Sequence, residues 1–207
     1  MRTSMLLPVA ALLLTGATAR AAAPEYDYGY DDDFFPVTVT LGIEGQGFRD
    51  DDGGMALRMG FEGHRWGVDT RYAALTLDEA GFGPRGSVTQ LLDFHLTYAP
   101  YVARRARFRL EAGANGFLSY DVSMLGLGLG ASLEACVAGP LDFEARLLIT
   151  PFPFHQVDAQ GGFALRLGGL ALRTGLRALY LDDAGEAVGV SRAGSWVGPY
   201  AGASFIF

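Results

Sequence analysis

The chain contains no lysine. All 16 of its basic residues are arginine, set against 23 acidic residues for a net charge of −7. An acidic, lysine-free chain is ill suited to tracking a phosphate backbone, so nucleic acid is set aside as a partner. A single cysteine, Cys136, rules out an intramolecular disulfide. Three histidines without cysteine neighbours offer no zinc-ligand spacing, and no metal or other cofactor is expected. No window past the N-terminus holds 18 consecutive apolar residues, which excludes a later transmembrane helix. Only 19% of residues are charged and 50% are hydrophobic, too apolar for a disordered acidic polymer.

The N-terminus has the order of a secretory signal peptide: Arg2, an apolar stretch from Met5 to Leu14, then small residues through Ala23. Cleavage after Ala21, where Ala19-Arg20-Ala21 supplies the A-x-A pattern, makes residues 1–21 the signal and leaves an acidic Tyr/Asp-rich segment, 22–35. The cut removes Arg2 and Arg20 and no acid, so the exported protein is more acidic still.

From residue 36 to residue 207 the recurrent signal is apolar and polar alternation with period two, broken by Gly, Asp and Pro. Val37, Val39, Leu41 and Ile43 begin it, and Met55 to Phe61 and Trp66 to Tyr72 form a hairpin around Gly63-His64. The pattern continues to a final strand ending at Phe207. Ten strands result. Short connections at 63–64, 99–105, 138–140 and 168–169 alternate with longer ones at 49–54, 78–86, 115–121, 151–161 and 182–192. An even strand number with short turns on one side and long loops on the other predicts an all-β fold, a closed antiparallel transmembrane β-barrel, with eight strands as the variant count. Pro199 removes a ladder donor and predicts a last strand starting near Tyr200, with Trp196 in the preceding loop.

Charges obey the same alternation. Glu44, Glu62, Asp69, Asp93, Glu111, Glu134, Asp142 and Glu144 share the polar face with Arg58, Arg71, Arg107, Arg109, Arg146, Arg166, Arg173 and Arg177. Eight acids against eight arginines, interspersed with many glycines, fit a narrow lumen whose charges must pair. His95, two residues from Asp93, joins this face. Aromatic residues gather near strand ends: Trp66, Tyr98, Tyr101 and Phe108 towards the short turns, and Phe48, Phe117, Tyr120, Phe152, Phe163 and Tyr180 towards the long loops. Two such girdles are what membrane interfaces select.

Over residues 36–207 the chain resembles the small, eight-to-ten-stranded outer-membrane β-barrel proteins of bacteria, within the porin-like superfamily. Phe207, with Phe205, Ala203 and Ala201 at alternating positions before it, is similar to the terminal signature by which the barrel assembly machinery recognises such proteins. The resemblance implies an outer-membrane location, contact with outer-membrane lipid, assembly by that machinery and a monomeric barrel.

Catalytic chemistry is not apparent. His64 falls in a turn, His155 in the Pro-Phe-Pro-Phe loop, and Asp93-x-His95-x-Thr97 reads as a lumenal hydrogen-bonding set rather than a general-base site. Asp31-Asp32-Asp33 and Asp50-Asp51-Asp52-Gly53 lack the spacing of a calcium loop and read as solvated acidic segments. Gly126-x-Gly128-x-Gly130 lacks phosphate-loop spacing and reads as space for lumenal packing. The expectation is a non-enzymatic barrel with a structural or surface-recognition role, conducting at most small solutes, with loops 151–161 and 182–192 as external contact surfaces. Two other classes fit the alternation: a soluble periplasmic barrel binding a small apolar ligand with its leucines inside, and an outer-membrane lipid-modifying enzyme using His95.

Overall fold

Branched and aromatic residues at every second position favour the extended backbone, and the glycines and prolines between runs supply the turns. The computed structural model describes residues 37–48, 52–77, 84, 86–185 and 192–207. The expected signal peptide (1–21), the acidic segment (22–35) and residue 36 lie outside the described residues, as do Asp50 and Asp51.

Ten strands follow one another: β1 (Thr38–Gly47), β2 (Gly53–Glu62), β3 (Trp66–Thr76), β4 (Val88–Ala103), β5 (Ala106–Leu118), β6 (Ser123–Ala138), β7 (Leu141–Thr150), β8 (His155–Leu167), β9 (Leu170–Asp182) and β10 (Ala193–Ile206). Each pairs antiparallel with its sequence neighbours, and β1 pairs with β10 from Thr40↔Ile206 to Gln46↔Tyr200, so the sheet closes and the eight-strand variant falls away. Beyond that ladder, Val39 and Phe207 exchange both backbone hydrogen bonds, at 3.0 and 2.9 Å. Closure leaves no edge strand to template aggregation. The shortest strands have 10 residues, enough to cross a bilayer when tilted.

Side chains alternate between two environments along the strands, apart from register shifts near the turn ends of β4 and β6. Leu125, Leu127 and Leu129 on β6 stand on the outer wall, as do Leu92, Phe94 and Leu96 on β4, and all are exposed. Glu44, Asp69, Arg71, Asp93, His95 and Arg177 point inward and are buried. A contiguous apolar band outside and a charged interior invert the order of a water-soluble barrel. The soluble reading, which needs the leucines inside, is therefore overturned.

Several boundaries differ from the sequence reading. Strand β4 continues through Pro100 to Ala103, because an irregularity between Tyr98 and Tyr101 absorbs the proline, and the turn is only Arg104-Arg105. Strand β5 runs to Leu118, so Asn115 is a wall residue and not part of a loop. The expected loop 151–161 ends at Phe154, and Gln156, Asp158 and Gln160 belong to β8. Strand β9 reaches Asp182. Strand β10 begins at Ala193 and includes both Trp196 and Pro199. Pro199 lies just past the last β1–β10 pair, so on that side no ladder bond is lost.

The girdles are also revised. Trp66 stacks on its cross-strand partner Tyr98 with ring centroids 4.7 Å apart, and both Trp66 and Tyr101 are exposed at the turn end. Tyr120, Phe152 and Tyr180 are exposed at the loop end. Phe163, however, pairs with Phe143 nearer the turn end, and Phe117 is buried inside the barrel.

Candidate functional site

The inward face of the barrel is divided along its length. At the turn end, Arg109 reaches both oxygens of Glu62 and lies 3.0 Å from Glu134. Arg107 stands 3.2 Å from Glu62 and donates to the carbonyls of Gly63 and His64 at 2.7 and 2.8 Å, which fastens the β2–β3 turn to the β5 wall. Arg166 contacts Asp142, Glu134 and Glu144, and Arg173 donates to Glu144 at 2.8 Å and to Ser204 at 2.6 Å.

Deeper in, Arg58 donates to Asp69 at 2.8 Å, and Arg146 bridges Asp69 and Glu111 at 2.7 and 2.6 Å. Arg71 donates to Asp158 at 2.9 Å and faces Glu44 at 3.9 Å. Arg177 grips both Asp158 oxygens and Gln46. The imidazole of His95 is fully buried, with Nε2 2.6 Å from Asn115 and Nδ1 3.5 Å from Glu111, while Asn115 donates to Thr150 at 2.7 Å. A Cβ at Gly128 would collide with both His95 and Asn115, so that glycine makes room for this cluster.

Local pairing alone does not create this arrangement. Arg58 lies directly opposite Arg71, and Glu134 directly opposite Glu144. Like charges facing each other across a ladder destabilise a sheet. Partners from elsewhere in the wall resolve both conflicts: Arg166 reaches both glutamates, Arg58 turns to Asp69, and Arg71 crosses to Asp158. Strands β3 and β8 stand half the circumference apart, so the Arg71–Asp158 pair spans the bore.

All eight expected arginines and all eight expected acids face the lumen, and among them the buried Asp93 keeps its Oδ1 without a hydrogen-bond partner. Asp158 was missed, because the weak alternation of Gln156 to Gly162 reads as a loop. Its inclusion brings the acids named on this charged face to one more than the arginines. Opposed Gly162 and Gly175 explain that weak stretch: a Cβ on either would run into the backbone of the other strand.

At the loop end the lumen turns apolar. Ala56, Ala73, Leu75, Leu77, Leu91, Phe117, Phe154, Leu179, Leu181 and Trp196 form one buried cluster. Phe117 and Phe154 stack at 5.6 Å, and Phe48, Val122 and Met124 close over them. Trp196 Nε1 donates to Asp52 at 2.9 Å, so Asp52 is a buried acceptor and not a solvated loop acid. The signal for this seal was present: Leu75, Leu91 and Leu179 share the parity of Arg71, Asp93 and Arg177.

Above the seal, Arg192 ties two loops together. It donates to Asp183 at 2.7 Å and to Asp121 at 3.0 Å. Burial alone raises the Asp183 carboxyl, but the Arg192 amide and guanidinium and the Gly185 amide, all donating to it, hold it below the usual carboxylate range. His155 is exposed at the start of β8, 3.7 Å from Asp182. Among the described residues, no group of three or more His, Cys, Asp and Glu is arranged to hold a metal ion.

No family model matches the chain, and no curated protein matches it. Among solved structures, the outer membrane protein Ail of Yersinia pestis in a phospholipid bilayer nanodisc is similar over 83% of this chain and 100% of that one, with 13% identity and a TM-score of 0.41. Values that low transfer no residue and no role. The fold of a small outer-membrane β-barrel rests on this chain's own closure, its apolar exterior and its charged bore.

Proposed function

We propose that this chain is a sealed outer-membrane barrel with a structural or surface-recognition role, and not an open porin. The observation that carries the reading is the obstruction of the bore: ion pairs cross it at mid-height, and ten apolar side chains close its loop end. Two cavities among the lumenal arginines and acids measure about 30 and 50 Å3, room for a few waters. In this reading residues 1–21 direct export, residues 36–207 form the barrel, and Phe205 and Phe207 carry the signal read by the barrel assembly machinery. The barrel is a monomer whose long loops face outward and whose short turns face the periplasm.

The lipid-modifying alternative gains no support, since His95 is enclosed in the bore and committed to Asn115, away from the lipid-facing wall. Planar-bilayer recording tests the sealed-barrel reading. Purified protein that inserts without large, stable conductance steps supports it, and wide, long-lived channels would overturn it. Membrane insertion itself is read separately, by a different migration of boiled and unboiled protein in SDS gels.

A further inference from the structure

The two ends of the barrel differ in charge. Acids outnumber arginines in the long connections, where Asp50, Asp51, Asp78, Glu79 and Glu186 join Asp121 and Asp183. The four short turns contain Arg65, Arg104 and Arg105 and no acid. These three arginines are exposed. They occur on only two turns, and the topology makes those turns neighbours, because β3 and β4 pair directly.

Both turns are held in place. Arg107 clamps the carbonyls of Gly63 and His64 from inside, the Ala99 amide donates to the Arg65 carbonyl at 2.7 Å, and the Cys136 amide donates to the Arg105 carbonyl at 2.7 Å. The stacked Trp66 and Tyr98 stand on the outer wall next to Arg65, with exposed Tyr101 towards Arg104. Tryptophan and tyrosine in such positions mark the level of the headgroups. Guanidinium groups at that level meet phosphate with two parallel N–H donors, and their aliphatic stems extend along the interface.

We propose that the turn-end rim of Arg65, Arg104 and Arg105, beneath the Trp66–Tyr98 pair, binds the headgroup phosphate of an anionic phospholipid in the adjoining leaflet. The inference rests on the membrane reading above and names the lipid class. Selectivity comes from net charge: a zwitterionic headgroup offers the same phosphate but neutralises its attraction for the rim with its own cation.

Trp66 supplies the readout, being 58% exposed on the outer wall, whereas Trp196 is 4% exposed inside the bore. The full-length protein is reconstituted in phosphatidylcholine vesicles containing either brominated phosphatidylglycerol or brominated phosphatidylcholine, and quenching of tryptophan emission is followed. The expected relative association constant favours phosphatidylglycerol by about fivefold or more, the effect of one engaged arginine. That preference shrinks towards unity as sodium chloride approaches about 1 M, where screening extends only about 3 Å. The combined variant Arg65→Gln, Arg104→Gln and Arg105→Gln, checked for folding by its gel shift, quenches equally with both lipids. Equal quenching of the unaltered protein at low salt overturns the proposal, and so does a preference that survives salt or the triple substitution. Absence of quenching by either lipid instead overturns the membrane reading beneath it.

Discussion

From the short turns up to Asn115 the bore is filled by arginines and acids, whereas beyond Asn115 it is filled by leucine, phenylalanine and tryptophan. Both regions use the same inward positions of the same strands, so alternation does not distinguish them. Their chemistry of closure does. An apolar side chain fills space without a specific partner, but a buried guanidinium is tolerable only where carboxylates and carbonyls meet its donors. The charged region is therefore vulnerable to loss of one partner, and the apolar region to loss of volume.

The largest expected effect strikes the charged region at its most shared acid. Asp158→Ala leaves Arg71 and Arg177 buried without their common partner, at a cost of about 3–5 kcal/mol. Denaturant unfolding of the reconstituted barrel measures it. A sharper form replaces all three residues by apolar ones and neutralises the two buried acids that Arg71 faces, Arg71→Met, Asp158→Leu and Arg177→Met with Glu44→Gln and Asp93→Asn, which makes the middle of the bore resemble its loop end. Most of the lost stability is expected to return, since a buried ion pair gains little over well-packed hydrophobic residues.

In the apolar region Leu179→Ala opens a cavity and costs about 3 kcal/mol, within the usual range for a buried leucine. The same unfolding measurement checks it, and conductance stays unchanged because the ion pairs below still block the bore. A combined Leu179→Ala and Asp158→Ala protein that leaks small ions, while each single variant does not, would show that the two regions seal independently.

The smallest effect concerns the loops above the seal. The Asp183 carboxyl is held below its unfolded value of about 3.9, so its contribution is complete above that pH and is lost as pH falls through the folded value. The Arg192 amide, a donor to Asp183, is expected to lose hydrogen-exchange protection only below about pH 4. Asp183→Asn removes that pH dependence.

Much of this was legible in the sequence. Ten strands, their inward parity and the residues on the charged face follow from alternation, because a barrel wall offers only two environments. The partner of each charge did not follow. Arg71 sits opposite Asp93 in the ladder, yet its hydrogen bond goes to Asp158 on the far wall, a choice set by closure and bore width. Asp158 itself was hidden by neighbouring glutamines and glycines, whose small or polar side chains suit a crowded wall but mimic a loop. Pro100 and Pro199 likewise look like strand breakers until the irregularity in β4 and the end of β1 account for them. The loop-end seal was readable in principle, since Leu75, Leu91 and Phe117 continue an inward series begun by charges.

The tie between Arg71 and Asp158 joins opposite staves of the barrel. A hollow cylinder ovalises easily under sideways pressure, but one with a strut across its diameter resists in that direction. Changes in lateral tension of the surrounding bilayer should therefore be taken up at the rims, by the turns and loops, while the midsection keeps its shape.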